Sequence, residues 1–261
     1  MATHIIEGMA VEMAGDGEAV LCIHGLGGSS NVWTPIAQAL QPFRRVAPDL
    51  PGSARSGLPD GALSVEGLAD RMAALLDALD LHAVHVVAHS LGTIVAQHLA
   101  TAHPERVRSL ALFGPLVAPP DVGRPGIRAR AELARQGAAA MQDIADAIVQ
   151  GATSAETKAG NPVALAAIRE LVMRQPPAGY ARSCEALAGA QSAPIEQLRV
   201  PVLLVTGDQD GVAPPARVDE MAQRIAGAEV TVLPGCGHWT TLEQPARCIQ
   251  ELQRFHARLP G

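Results

Sequence analysis

Apolar residues in this chain fall into short unbroken runs separated by longer stretches with helical spacing. Ala19–His24 reads AVLCIH, Val84–Ala88 reads VHVVA, Ser109–Phe113 reads SLALF and Val200–Thr206 reads VPVLLVT. Arg44–Pro48 and Glu229–Leu233 are further short runs. Runs that are apolar throughout predict strands covered on both faces, because a strand with one wet face would alternate. Between them, Ser64–Leu79 places Val65, Leu68, Met72, Leu75, Leu76 and Leu79 on one stripe, the spacing of an amphipathic helix. Ser90–Ala102, Pro215–Ile225 and Glu243–Arg258 have the same character. Strand–helix alternation predicts βαβ units. With Thr3–Glu12 read as an antiparallel hairpin, the expected fold is α/β: a mostly parallel eight-stranded sheet with helices on both faces.

One block breaks the alternation. From Pro119 to about Pro194 the chain is Ala-rich and helical in pattern, with no strand signal. That exceeds the roughly 10–20 residues an ordinary crossover needs. An all-helical insertion between two strands predicts a lid over the carboxyl ends of the sheet, where open α/β sheets bind ligands. The expected division is a core of residues 1–118 and 195–261, with a helical lid subdomain at 119–194.

Composition narrows the picture further. At 261 residues the chain has the size of one large domain carrying such an insertion. Aromatics make up only 2 %, so the core must be built from small aliphatics. The net charge of −6 argues against a nucleic-acid or anionic-membrane partner, both of which need a basic face. No run reaches the ~18 apolar residues of a membrane span, and Met1–Gly15 lacks the pattern of a secretion signal. Cys22, Cys184, Cys236 and Cys248 form no Cys-x-x-Cys pair, so no metal site is expected and buried free thiols are. A cytoplasmic setting is the expectation.

The chemistry concentrates at Val86–Thr93, VVAHSLGT. An apolar strand runs into Ala88-His89-Ser90-Leu91-Gly92 and a helix follows, the pattern of a nucleophile elbow. Small residues two places either side of the serine permit the sharp turn that exposes its hydroxyl. A serine needs a base. His238, in the Gly-rich loop Gly235-Cys236-Gly237-His238 after the last strand, is the histidine whose place fits the order Ser…Asp…His. Two acids, Asp208 and Asp210, lie between them after the strand ending at Thr206. Asp210, farther along the loop, is expected to face His238, while Asp208 shapes the turn. Backbone N–H groups of Leu26, in His24-Gly25-Leu26-Gly27-Gly28, and of Leu91 are the expected oxyanion hole. The glycine-rich loop lacks the Lys-Ser/Thr of a phosphate-binding loop.

HGLGG at 24–28, DLPGSARSG at 49–57, AHSLG at 88–92, GDQD at 207–210 and GCGH at 235–238 occur in an order that resembles the α/β-hydrolase superfamily. Within it the chain most resembles the 3-oxoadipate enol-lactonase and carboxylesterase group, through HGLGGSSNVW ending at Trp33, the DLPGSARS loop, and PPAGYARSCEALAGA around Tyr180 and Cys184. It departs from those relatives at Ala88 and Thr93, where they commonly carry Gly, and at Ile127 and Arg128, where they carry an aromatic. The resemblance implies a Ser90–Asp210–His238 triad, ester or lactone hydrolysis through an acyl-enzyme with 3-oxoadipate enol-lactone as one substrate, and no cofactor. Serine rather than aspartate at the elbow separates the chain from haloalkane dehalogenases and soluble epoxide hydrolases. Trp33, Tyr180 and Trp239 are the expected substrate contacts. The lid arginines 124, 128, 130, 135, 169, 174 and 182 are either carboxylate ligands or a solvated face. Acyl transfer or perhydrolysis with the same triad, or a non-catalytic ligand-binding protein on the same fold, are the alternatives. The sequence leaves assembly into a homo-oligomer open.

Overall fold

The computed structural model describes residues 2–259. Eight strands form one sheet: β1 (Ala2–Ile6), β2 (Met9–Ala14), β3 (Ala19–Ile23), β4 (Arg44–Pro48), β5 (Val84–His89), β6 (Val107–Phe113), β7 (Val202–Gly207) and β8 (Glu229–Leu233). Their order is β1-β2-β4-β3-β5-β6-β7-β8. The expected hairpin is present, with Ile5 opposite Ala10, and β2 pairs antiparallel with β4. Strands β3 to β8 run parallel. The all-apolar runs are the central strands; β3, β5 and β7 are buried along their whole length.

Alternation along each strand sends side chains to two cores. Leu21 and Ile23 of β3 join one cluster, while Val20 and Cys22 join the other. The first core is closed by α1 (Val65–Ala78), α2 (Leu91–Ala102) and, after β7, a helix at Pro215–Arg224. The Ser64 side chain starts α1 by accepting the Gly67 N–H at 3.0 Å. A 3-10 run at Ser30–Leu40, absent from the sequence-based expectation, closes the second core together with the C-terminal helix.

Five helices lie between β6 and β7: α3 (Arg124–Ala134), α4 (Ala138–Ala152), α5 (Ala155–Gly160), α6 (Pro162–Met173) and α7 (Pro177–Gly189). Helix α3 packs on α7, and α4 on α6. After α8 (Pro215–Arg224) comes a short helix α9 (Thr240–Glu243), and the helix expected over Glu243–Arg258 is α10 (Pro245–His256). Pro245 supplies no N–H and disfavours helical backbone at Gln244, so the helix restarts there.

The winding direction reverses around β3, which sits between β4 and β5. The carboxyl ends of β3 and β5 therefore border a switch-point crevice, the position where ligands bind in open α/β sheets. Ser90 follows β5, and the Gly25–Gly28 turn follows β3. Among the described residues, no helix is long and apolar enough to cross a membrane.

Candidate active site

Ser90 stands at the turn between β5 and α2 with φ 52° and ψ −122°. This left-handed backbone is costly for a residue with a Cβ, on the order of 1–3 kcal/mol. Local bonds hold it there. The Ser90 N–H donates to the Phe113 carbonyl at 3.0 Å, and its own carbonyl accepts from the Thr93 N–H at 2.8 Å and the Thr93 hydroxyl at 2.6 Å. The glycines around it answer to crowding. A Cβ on Gly25 would stand 2.7 Å from the Ser90 Cβ, and one on Gly92 would overlap the Ile23 carbonyl.

His238 reaches this serine from the loop after β8. Its Nε2 lies 2.8 Å from the Ser90 Oγ, and its Nδ1 lies 2.8 Å from Asp210 Oδ2. Asp210 also accepts the Val212 and Ala213 N–H groups on Oδ1, both at 2.8 Å. Burial pushes its carboxyl pKa up, but the His238 charge and hydrogen bond and these two amides outweigh that and hold it below the usual carboxylate range. As a carboxylate it can only accept, so Nδ1 donates to it, and Nε2 is the ring nitrogen that faces the Ser90 hydroxyl. Asp208 turns elsewhere, accepting the Cys236 N–H at 3.2 Å across the loop. Ser90, His238 and Asp210 are buried, at 8, 5 and 2 % exposure.

The Gly25–Gly28 turn closes with a 3.0 Å bond from the Gly28 N–H to the Gly25 carbonyl, and Gly27 adopts φ 77°. Gly25 of this turn abuts the serine, and Leu91 follows it as the first residue of α2, where N–H groups have no intrahelical acceptor. The turn is braced from behind. His24 Nδ1 donates to the Gly25 carbonyl, and its Nε2 accepts the Leu50 N–H, each at 2.8 Å. Asp49 accepts the Ser30 N–H at 2.8 Å and pairs with Arg55 at 2.8 Å. The HGLGG and DLPGSARSG motifs therefore form one scaffold.

The three expected substrate-contact aromatics are all buried in the second core cluster. Tyr180 rests on the Gly25–Gly28 turn, its ring 3.4 Å from where a Gly27 Cβ would be. Burial pushes its phenol pKa up, and the Arg130 guanidinium beside it pulls the other way. Trp239 follows His238 and packs against His89, with ring centroids 5.3 Å apart. Trp33 lies within the core under the 3-10 run, fully buried. Five of the arginines in the helical insertion are engaged at the protein surface. Arg124, Arg135, Arg169 and Arg174 pair with carboxylates, and Arg182 bonds the Pro59 carbonyl. A surface cavity of about 710 Å³ opens between Ser29, Arg55, Arg174 and Gln175; Ser90 is not in its walls.

Sequence reasoning missed three residues here. His89 donates from Nε2 to the His238 carbonyl at 2.9 Å. Gly114, at φ 55°, lies under the imidazole: a Cβ there would be 2.9 Å from His238 Nδ1. Glu243 is a buried carboxylate behind the His238 loop. The glycine after β6 was the one available signal; nothing periodic marks the other two.

The alpha/beta hydrolase family model matches residues 20–251. A 2-hydroxymuconate semialdehyde hydrolase from a Pseudomonas species is 30 % identical over 248 residues, covering 90 % of this chain and 85 % of its own. Among solved structures, a thermophilic esterase from Thermogutta terrifontis superposes with a TM-score of 0.90 at 27 % identity, covering 96 % of this chain and 93 % of its own. The enol-lactonase from Burkholderia xenovorans gives 0.88 at 27 % identity, covering 98 and 100 %. With its eight-stranded sheet and a family match over most of its length, the chain belongs to the alpha/beta hydrolase family.

Proposed function

We propose that the chain is a serine hydrolase that cleaves a small carboxylic ester or lactone through an acyl-enzyme on Ser90. The observation that carries this reading is the unbroken relay from Ser90 Oγ through the His238 ring to Asp210, with both bonds at 2.8 Å. Ser90 Oγ attacks the carbonyl carbon as His238 Nε2 takes its proton. The N–H groups of Leu26 and Leu91 receive the oxyanion. The bond to the leaving oxygen breaks as His238 returns the proton to it. Water then attacks the acyl-enzyme and gives a proton to His238, and the Ser90 ester bond breaks as His238 passes that proton to Ser90 Oγ, which releases the acid and restores the serine. Asp210 stays ionised throughout and stabilises the imidazolium. The helical insertion at 119–194 serves as the lid of this site.

The similarity to an esterase and an enol-lactonase supports an ester or lactone as substrate. The similarity to the semialdehyde hydrolase favours a second reading, in which the substrate is a semialdehyde of that kind. Activity against p-nitrophenyl acetate, an enol-lactone and a 2-hydroxymuconate semialdehyde, measured side by side, ranks the two. Ser90→Ala should keep the fold by circular dichroism and lower kcat by roughly 10³-fold or more. A stoichiometric burst of p-nitrophenol in the wild-type chain, absent from Ser90→Ala, is the expected signature. Turnover that survives Ser90→Ala would overturn the assignment of the nucleophile.

A further inference from the structure

Glu243 closes the short helix α9, five residues after His238. It is only 6 % exposed, and no cation accompanies it among its bonded partners. A carboxylate taken out of water without a countercharge persists only where donors replace its hydration. Here four do. Oε1 accepts the Trp239 N–H at 3.0 Å, and Oε2 accepts the Gly237 N–H at 3.0 Å, so the two amides flanking His238 both point at one carboxylate. Oε2 also accepts the Ser154 N–H at 2.9 Å and the Thr157 hydroxyl at 2.8 Å. Those two donors belong to the insertion, at the start of α5.

The rest of the His238 peptide is held as tightly. Its own N–H donates to the Ala152 carbonyl, at the end of α4, at 2.9 Å, and its carbonyl accepts from His89 Nε2 at 2.9 Å. Gly237 is bare because a Cβ would stand 2.8 Å from Glu243 Oε1 and 2.7 Å from the Ser154 N. The Gly237 N–H, the N–H and carbonyl of His238 and the Trp239 N–H are therefore all tied, and three of these four ties run to the insertion or to a carboxylate shared with it.

We infer that Glu243 is a positioning residue: its buried carboxylate locks the His238 loop to the base of the helical insertion and so sets where the imidazole meets Ser90. This rests on the serine-hydrolase reading above. Glu243 bonds neither Ser90 nor the imidazole, so it acts through the backbone. Misplacing a reacting group by about 1 Å can cost on the order of 10²-fold in rate. A loop released from this carboxylate would carry that penalty in the chemical step, with little change in substrate binding.

The test uses Glu243→Gln, whose amide turns an N–H₂ toward donors that need an acceptor. Glu251→Gln is the control, because Glu251 bonds Arg254 and Thr231 away from the loop. With p-nitrophenyl acetate, well below the unfolding midpoint, Glu243→Gln should lower kcat about 10- to 100-fold and leave KM within about threefold. The rate of Ser90 phosphonylation by a p-nitrophenyl phosphonate, per folded molecule, should fall in parallel. Glu251→Gln should leave both unchanged. A Glu243→Gln protein with a lower unfolding midpoint but wild-type kcat and phosphonylation rate would make Glu243 a stability residue only and overturn the inference. If Glu243→Gln does not fold, Thr157→Val removes one donor from the same carboxylate; a kcat lowered threefold or more supports the lock, and an unchanged kcat overturns it. A wild-type chain that is neither acylated nor phosphonylated would instead sink the serine-hydrolase reading, and this inference with it, before any variant is compared.

Discussion

At the scale of single residues, the site depends on side chains that are missing as much as on those present. The His238 ring lies directly over Gly114, with a Cβ position only 2.8 Å from its Cε1. Gly114 also adopts φ 55°, where a side chain is strained. Gly114→Ala should therefore push the imidazole away from Ser90 while the Ser90 elbow itself stays intact. We expect kcat to fall about 10²-fold, scaled as for a misplacement of roughly 1 Å. Steady-state kinetics on folded protein check this; a Gly114→Ala enzyme within twofold of wild type would mean the ring can shift without loss. The same principle separates the two acids. Asp208 and Asp210 are equivalent in charge and nearly so in sequence, yet only Asp210 has its Oδ2 on the His238 ring and its Oδ1 saturated by amides.

At the scale of elements, the insertion is seated on the core through close backbone approach. Helix α7 meets the 49–57 loop where a Cβ on Gly179 would overlap the Gly52 carbonyl. Gln175, just before α7, donates its amide to the Gly28 and Leu171 carbonyls at 3.0 and 2.9 Å and accepts the Ala54 N–H at 3.0 Å. Arg182 adds a bond to the Pro59 carbonyl. Gly179→Ala should lift α7 from this seat and cost about 1–3 kcal/mol, the usual range for overpacking. Gly151→Ala in α4, an exposed position with nothing within 4 Å, should instead stabilise by up to about 1 kcal/mol. Urea unfolding of the two variants distinguishes a specific seat from a general intolerance of alanine. Equal losses in both would remove the argument.

At the scale of the whole molecule, buried neutral histidines couple the fold to pH. His256 ends α10 with its ring 4.6 Å from Phe43 and 5.8 Å from His85, and neither ring nitrogen has a partner among the described residues. Burial first, and the neighbouring His85 second, push its pKa down to about 4. Burial likewise lowers His24, His85 and His89. Below the ordinary histidine pKa of about 6.5, the unfolded chain takes up protons that the native chain refuses. Stability contributed by His256 is therefore present above about 6.5 and is lost as pH falls toward 4, by about 2 kcal/mol over that window. Asp49 and Asp210, whose pKa values are lowered, act in a different window: their contribution is present above the ordinary carboxylate range and is lost only in stronger acid. Urea midpoints at pH 7 and 4.5 should show the wild-type loss, and His256→Leu should show a loss smaller by about 2 kcal/mol. An identical pH dependence in both proteins would show that the ring is not neutral in the native state.

The strands, the elbow and the order of Ser90, Asp210 and His238 were legible from the chain because each is a local demand. Apolar runs report burial on both faces, and small residues beside Ser90 report a turn that larger ones could not make. The 3-10 run at Ser30–Leu40 and the break at Gln244–Pro245 were not legible as continuous patterns. The role of Glu243 was invisible for a deeper reason. In the sequence it is one more acid at the start of a helix. Its donors come from residues 154, 157, 237 and 239, and only the packing of the insertion against the last loop brings them to one point. Arg124, Arg135, Arg169 and Arg174 of the insertion follow the same rule, since pairing with nearby carboxylates is set by which helix faces meet. What the sequence alone determined is the set of local backbone shapes and the residue types able to do chemistry. Which buried charges find partners was decided by the tertiary structure, because a carboxylate is stable out of water only where the whole fold delivers its donors.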